Sequence, residues 1–294
     1  MKKVLAIILG LAVLVPMAMA RDIAPVVDAA WLEANLANPR LVIMDLRKVE
    51  DYKTGHITGA VNVIGASVYV KAGDVVNEVP PADDLTDVLQ AAGVNPDSLV
   101  VVVESDTGAR LAWATRVGWT LKYAGLENVA ILDGGYAAWT KASKPVQTDP
   151  VAAKAGSFVV KFNAGVFADK AYVLAAKKAQ IVDARSYDTY FGVSKAASTA
   201  QFGHYAGAWP LPSTWIATAD GFFKPKADLD AIAARLGLDP KAETIVYCDS
   251  GVAASTWWWV MSEMLGWKSV RNFDGSSQVL AADPGVKYVT ETWR

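Results

Sequence analysis

The chain has 294 residues, of which 53% are hydrophobic and 20% are charged, and its net charge at pH 7 is -2. This composition allows well-filled cores and argues against disorder, while the small net charge gives no electrostatic basis for binding nucleic acid. Two histidines and a single cysteine exclude His-rich metal sites, and the sequence has neither a Walker loop nor a GxGxxG after a strand. We therefore expect no metal and no cofactor.

Residues 1–20 have the pattern of a secretory signal peptide. Lys2 and Lys3 are basic, the stretch from Val4 to Val15 is apolar, and Ala-Met-Ala at 18–20 matches a cleavage site. The apolar stretch is short for a membrane span, which needs ~20 residues. The sequence therefore predicts export to the periplasm and no stable membrane contact once the signal is cleaved. An uncleaved anchor is the alternative.

Four motifs follow in order along the first half of the mature chain. An apolar strand is predicted from Leu41 to Arg47 and ends in Asp-x-Arg, and a Gly-His-x-x-Gly-Ala motif lies at 55–60. A second apolar strand, Leu99 to Val103, leads into a loop, and a third strand ends in Asp-Gly-Gly at 133–135. Because the apolar runs are continuous and alternate with helical stretches, they indicate parallel strands covered on both faces.

The same four motifs recur in the same order in the second half. Asp-x-Arg ends the strand from Ile181 to Arg185, Gly-His-x-x-Gly-Ala lies at 203–208, and the strand from Thr244 to Tyr247 leads into a loop. Asp-Gly-Ser at 274–276 completes the series. The chain is therefore predicted to be a tandem duplication.

The predicted fold class is α/β, with two tandem domains that each hold a mostly parallel sheet flanked by helices. The first domain is placed at 21–145, a linker at 146–156, and the second domain at 157–294, with a strand starting at Ser157. The tryptophans at 257–259, in a helix predicted from Thr256 to Leu265, are expected to fill the core.

Cys248 is the candidate nucleophile, since it follows a buried strand and precedes the Trp-rich helix. Ligand sites in open α/β sheets lie at the carboxyl ends of strands, and loop amides with a helix N-terminus stabilise a thiolate or a bound anion. A buried structural cysteine is the alternative. Ser105 is predicted to occupy the corresponding position in the first domain, which therefore lacks the nucleophile. The candidate substrate-binding loop comprises Asp249, Ser250, Gly251, Val252 and Ala253.

These motifs resemble the rhodanese family, specifically its tandem-domain sulfurtransferases of the thiosulfate and 3-mercaptopyruvate type, over about residues 25–280. The resemblance implies catalysis in the second domain. The Cys248 thiolate would take a sulfane sulfur from thiosulfate or 3-mercaptopyruvate, hold it as a persulfide, and pass it to cyanide or a thiol. It also assigns Ser250 a hydrogen bond to the substrate and places Arg185 at the Asp-x-Arg position.

Two departures leave the donor open. Thiosulfate-using members have basic residues after the cysteine, whereas Asp249 here would repel an anion and raise the pKa of the thiol. The mercaptopyruvate type uses a second arginine, but residues 186–234 contain none, and Lys195 lacks the planar fork of a guanidinium. A phosphatase is disfavoured, because the arginine of its Cys-x5-Arg loop is replaced by Ala254.

Other roles stay open for several residues. Arg185 is assigned equally to an ion pair with Asp183 and to donor binding, while His56 and His204 are predicted to be structural. An alternative function of a different class is also open: the protein would be a non-enzymatic sulfur carrier or a module that docks a periplasmic redox partner. A thiol redox protein is disfavoured because no second cysteine is present to resolve a disulfide.

Overall fold

A computed structural model describes residues 21–105 and 110–290. The predicted signal peptide and the last four residues of the predicted second domain lie outside these ranges. Within them, no helix is long and apolar enough to cross a bilayer.

The first domain is built on a five-stranded parallel sheet in the order β1-β8-β7-β2-β4. Its central strand β7 reads Leu-Val-Val-Val-Val and is buried throughout, as expected for a parallel strand covered on both faces. The strands are β1 (Val26–Val27), β2 (Leu41–Asp45), β3 (His56–Ile57), β4 (Val61–Asn62), β5 (Val70–Ala72), β6 (Val75–Glu78), β7 (Leu99–Val103), β8 (Val129–Leu132) and β9 (Val146–Gln147). The helices are α1 (Ala29–Ala34), α2 (Val49–Thr54), α3 (Ala82–Ala91), α4 (Leu111–Tyr123) and α5 (Gly135–Lys141).

The second domain repeats this topology with the order β10-β15-β14-β11-β13, again parallel throughout. The predicted fold class is therefore confirmed. The strands are β10 (Phe167–Ala168), β11 (Gln180–Asp183), β12 (His204–Tyr205), β13 (Trp209–Pro210), β14 (Thr244–Tyr247), β15 (Val270–Phe273) and β16 (Tyr288–Val289). The helices are α6 (Lys170–Ala175), α7 (Tyr187–Tyr190), α8 (Lys226–Arg235), α9 (Ala254–Trp258) and α10 (Ser276–Leu280).

The segment between the sheets differs from its prediction in one respect. No strand starts at Ser157, because its backbone N–H and that of Phe158 both donate to the carbonyl of Val94 in the first domain instead of to a sheet neighbour. Near the start of the predicted linker, β9 pairs antiparallel with β3 of the first domain.

The two domains share one core where α4 packs against α9. Thr115 and Ser255 hydroxyls lie 2.9 Å apart across this contact. Gly118 is required here, because a Cβ at this position would lie 2.7 Å from the Trp259 ring. Trp257, Trp258 and Trp259 are all fully buried, which confirms their predicted place in the core. The predicted helix is regular only to Trp258 and continues as a π-helix over Trp259–Met264.

Candidate active site

Cys248 lies directly after the central strand β14, at the carboxyl edge of the second sheet, and only 2% of its surface is exposed. The loop 249–253 then leads into α9. Gly251 has φ +76°, and a Cβ there would lie 2.6 Å from the carbonyl oxygen of Asp274. The loop can fold this tightly around the thiol only because residue 251 is glycine.

The Ser276 hydroxyl anchors the loop from below. Its oxygen accepts hydrogen bonds from the backbone N–H groups of Cys248, at 3.1 Å, and Gly251, at 3.0 Å, and lies 4.0 Å from the Cys248 Sγ. Ser276 has φ +49°, a left-handed conformation that costs a residue with a side chain about 1–2 kcal/mol. The first domain has Gly135 at the equivalent position, with φ +59°. The strained serine therefore belongs to the domain that holds the thiol.

Burial raises the pKa of the Cys248 thiol, and the neighbouring charge of Asp249 raises it further. Hydrogen bonds from the backbone N–H groups of Ala254 and Ser250 act in the opposite direction, as the strand–loop–helix pattern predicts, together with the Ser276 hydroxyl. The net shift is upward, so the thiol of the free protein is more weakly acidic than an ordinary cysteine. Because these N–H groups lower the pKa of the thiol, they favour negative charge when it forms on the sulfur.

Arg185 is held as a structural clamp. Its Nε and Nη2 donate to the Asp183 carboxylate at 2.9 and 2.6 Å, and Nη2 also donates to the Gly203 carbonyl at 2.8 Å. Arg47 makes the same contacts with Asp45 and Gly55 in the first domain. Because both copies contain the clamp, these contacts stabilise the fold of each domain. Only Nη1 of Arg185 remains for another partner.

Asp249 approaches that remaining nitrogen. Its Oδ1 lies 3.7 Å from Arg185 Nη1 and accepts a hydrogen bond of 3.3 Å from the Thr199 hydroxyl. The Thr199 carbonyl in turn accepts a 2.7 Å bond from Lys195 Nζ. Lys195, predicted as a partial substitute for a second arginine, therefore lies near the loop but already has a partner.

The other loop residues are also brought together at the site. Ser250 accepts a 2.9 Å hydrogen bond from Asn77 Nδ2 on the β5–β6 hairpin of the first domain. Val252 is buried, and its carbonyl accepts a 2.6 Å bond from the Ser255 hydroxyl. Ala253 begins the turn into α9.

The first domain supports the loop through further contacts that sequence reasoning missed. Gln278 forms two hydrogen bonds with the backbone of Val76, of 3.1 and 2.9 Å. The backbone N–H of Val79 donates to Asp274 at 3.1 Å. Nothing in the local pattern of the β5–β6 hairpin indicates these contacts, since its partners lie about two hundred residues away along the chain.

Arg116 was missed as well, although its charge within an apolar helix was a usable signal. Its side chain is fully buried, forms an ion pair with Asp274, and donates to the carbonyl of Asn77. A Cβ on Gly251 would lie 2.8 Å from its Nη1. Arg116 of the first domain therefore lies directly beneath the loop that follows Cys248.

The family model for the rhodanese-like domain matches this chain twice, over residues 28–142 and 168–283. The chain belongs to the rhodanese family. Because the family model matches twice, the chain is a tandem-domain member of this family.

Relatives of this rhodanese-family protein cover most of its length. A protein of Mycolicibacterium smegmatis provisionally named thiosulfate sulfurtransferase is 30% identical over 260 residues, which are 85% of this chain and 92% of the relative. The sulfur carrier protein TtuD of Thermus thermophilus is 25% identical over 264 residues, which are 85% of this chain and 91% of TtuD. The crystal structure of the 3-mercaptopyruvate sulfurtransferase SseA from Escherichia coli matches with a TM-score of 0.77 and 27% identity, over 86% of this chain and 99% of SseA.

Strand register corrects the predicted counterpart of the nucleophile. Val103 pairs with Asp45 just as Tyr247 pairs with Asp183, so Glu104, not Ser105, corresponds to Cys248. The predicted alignment of Ser105-Asp106-Thr107-Gly108 with Cys248-Asp249-Ser250-Gly251 is shifted by one residue. Backbone pairing of the strands shows which residue follows each strand, and the sequence alone does not. Glu104 is buried and accepts a 2.7 Å bond from the Ser105 N–H. A carboxylate cannot form a persulfide, so this rhodanese domain has no equivalent nucleophile.

The two histidines make matching contacts in the two rhodanese domains, as a structural role predicts. His56 Nδ1 lies 2.9 Å from the Tyr52 carbonyl and its ring stacks on Tyr52. His204 Nδ1 lies 2.9 Å from the Tyr190 carbonyl and its ring stacks on Tyr190. Both rings are buried and hold the Gly-His turn against the preceding helix.

Proposed function

We propose that this rhodanese-family protein transfers a sulfane sulfur through a persulfide on Cys248. The observation that carries the proposal is the position of Cys248, which directly follows the central strand β14 and opens a loop that the Ser276 hydroxyl holds through the backbone N–H groups of Cys248 and Gly251. The names of its relatives support thiosulfate and 3-mercaptopyruvate as donors. The acceptor in this proposal is cyanide or a thiol. The substrate-contacting groups in this proposal are the loop residues 249–253 and Arg185.

With thiosulfate, the Cys248 thiolate attacks the outer sulfur. The S–S bond of thiosulfate breaks, its electron pair leaves with sulfite, and a new S–S bond forms on Cys248. The acceptor then attacks the terminal sulfur of the persulfide, and the electron pair of that bond returns to Cys248 as a thiolate. The loop N–H groups stabilise negative charge on the cysteine sulfur when the thiolate forms and again when the acceptor releases it.

Intact-mass measurement tests this directly. The full chain is incubated with thiosulfate or with 3-mercaptopyruvate, and we expect a gain of one sulfur atom that is absent in Cys248→Ser. Cyanide should then restore the original mass and release thiocyanate. A folded protein that gains no sulfur from either donor, or a Cys248→Ser variant that still does, would contradict the proposal.

A sulfur carrier is the second candidate, and the similarity to TtuD favours it. The near-complete burial of Cys248 supports it as well, because a carrier must protect its persulfide from small nucleophiles. In this case the persulfide forms once and persists in cyanide, and it is consumed only by a protein partner. The predicted export makes a periplasmic redox protein the partner to test, with Cys248→Ser as the control.

A further inference from the structure

The Asp249 carboxylate lies beside the buried guanidinium of Arg185. Arg185 Nη1 is buried, has no hydrogen-bond partner among the described residues, and lies 3.7 Å from Asp249 Oδ1. The Arg185 side chain is 1% exposed and that of Asp249 is 34% exposed. The carboxylate of Asp249 is thus the solvent-facing partner of this guanidinium, and a second anion would have to displace it.

The surrounding residues hold Asp249 in this position. The Thr199 hydroxyl donates to the same carboxylate oxygen, and Thr199 is fully buried. Besides Arg185, two cations belong to this region, Lys195 and Arg116. Lys195 donates to the Thr199 carbonyl. Arg116 is paired with Asp274 beneath the loop. Each of these three cations therefore already has an anionic or carbonyl partner.

Asp249 also acts on the nucleophile, because its charge opposes formation of the Cys248 thiolate. A thiosulfate or 3-mercaptopyruvate anion would add a second negative group beside the same sulfur. Both effects follow from one carboxylate placed next to the thiol, and both disfavour a donor whose transferable sulfur is close to an anion.

We propose that Asp249 is a specificity-determining residue that replaces the anionic group of the donor, so that the site prefers small hydropersulfides, R–S–SH, whose R group is uncharged. This inference rests on the Cys248 persulfide proposed above. Donors with a sulfonate or a carboxylate next to the transferable sulfur still react, but more slowly.

The sulfur transfer balances without another reactant. The Cys248 thiolate attacks the terminal sulfur of R–S–SH, and the donor S–S bond breaks. Its electron pair leaves on the small thiolate R–S⁻, while the proton stays on the terminal sulfur that is now bound to Cys248. The leaving thiolate carries no second charge, so Asp249 repels it less than it repels sulfite.

A matched pair of probes isolates the charge of the R group. The full chain is treated with 2-hydroxyethyl hydropersulfide or with carboxymethyl hydropersulfide, and the initial rate of sulfur gain on Cys248 is followed by mass spectrometry. We expect the 2-hydroxyethyl probe to react about tenfold faster than the carboxymethyl probe, because the Asp249 carboxylate repels the single negative charge of the latter at close range. In Asp249→Asn the two rates should become nearly equal, and the rate with thiosulfate should rise.

The comparison of rates within one variant removes the effect of Asp249 on the acidity of the thiol, since that effect is common to both probes. Asp230→Asn, an exposed position on α8, is the matched control for net charge and should retain the tenfold preference. Asp249→Ser provides a second variant if the asparagine protein does not fold. An equal preference in wild type and Asp249→Asn overturns this inference while leaving the persulfide intact. Absence of sulfur on Cys248 with every donor overturns the proposed function itself.

Discussion

Replacement of Ser276 tests how the thiol loop is held. The hydroxyl accepts from two buried N–H groups, those of Cys248 and Gly251, and the residue adopts φ +49°. In Ser276→Ala both N–H groups lose their acceptor while the strained backbone remains. Each buried donor without a partner costs about 1–3 kcal/mol, so for these two donors we expect a loss of roughly 2–6 kcal/mol in the free energy of unfolding.

Ser276→Gly loses the same hydrogen bonds, including the one that the hydroxyl donates to the Phe273 carbonyl at 2.7 Å, but relieves the left-handed backbone, as Gly135 does in the first domain at φ +59°. This relief is worth about 1–2 kcal/mol. The glycine variant should therefore be more stable than the alanine variant by about that amount, yet less stable than wild type. Both variants should form the Cys248 persulfide more slowly, because the loop N–H groups are no longer fixed.

Urea denaturation of the three proteins, followed by tryptophan fluorescence, measures the free energies of unfolding. A stable alanine variant would show that the hydroxyl does not support the loop. A glycine variant that is no more stable than the alanine variant would refute the strain attributed to residue 276.

Three further predictions concern the contacts between the domains and the thiol. Arg116→Met leaves the buried Asp274 without its cation and should lower the free energy of unfolding by about 3–5 kcal/mol in urea denaturation, unless the second change Asp274→Asn restores part of it. Burial raises the pKa of Glu78 to about 7, so the folded protein keeps this proton to a higher pH than the unfolded chain does. The free energy of unfolding should therefore fall as the pH rises from about 4.5 to about 7. Urea denaturation at several pH values should show this fall in the wild type and not in Glu78→Gln, apart from the contributions of other groups. Asp249→Asn removes a charge that raises the pKa of Cys248, so the rate of persulfide formation should reach half its maximum at a lower pH than in wild type, and an unchanged midpoint would contradict that assignment.

The α/β fold, the duplication and the position of Cys248 were predictable because each depends on local pattern. Buried parallel strands are apolar along their whole length, and the loop after such a strand is where a ligand site forms. The glycine at 251 was predictable for the same reason, since a tight loop before a helix requires it.

The contacts from the first domain were not predictable in this way. Asn77, Gln278 and Arg116 act across the domain boundary, and no periodicity links residues so far apart in the chain. The prediction that Ser105 corresponds to Cys248 was wrong for a different reason. Two loops of different sequence can be aligned in more than one way, and only the strand pairing shows that Glu104 is the counterpart.

The paired hydrogen bonds between Gln278 and Val76 have a consequence for sequence variation. The amide of Gln278 meets the backbone N–H and C=O of residue 76, not its side chain. This contact therefore requires of residue 76 only that it keep its N–H, which excludes proline, whereas residue 278 must provide one donor and one acceptor. Homologues that retain this contact should thus vary freely on one side of the domain boundary and hardly at all on the other, so that a search for co-varying pairs would overlook it.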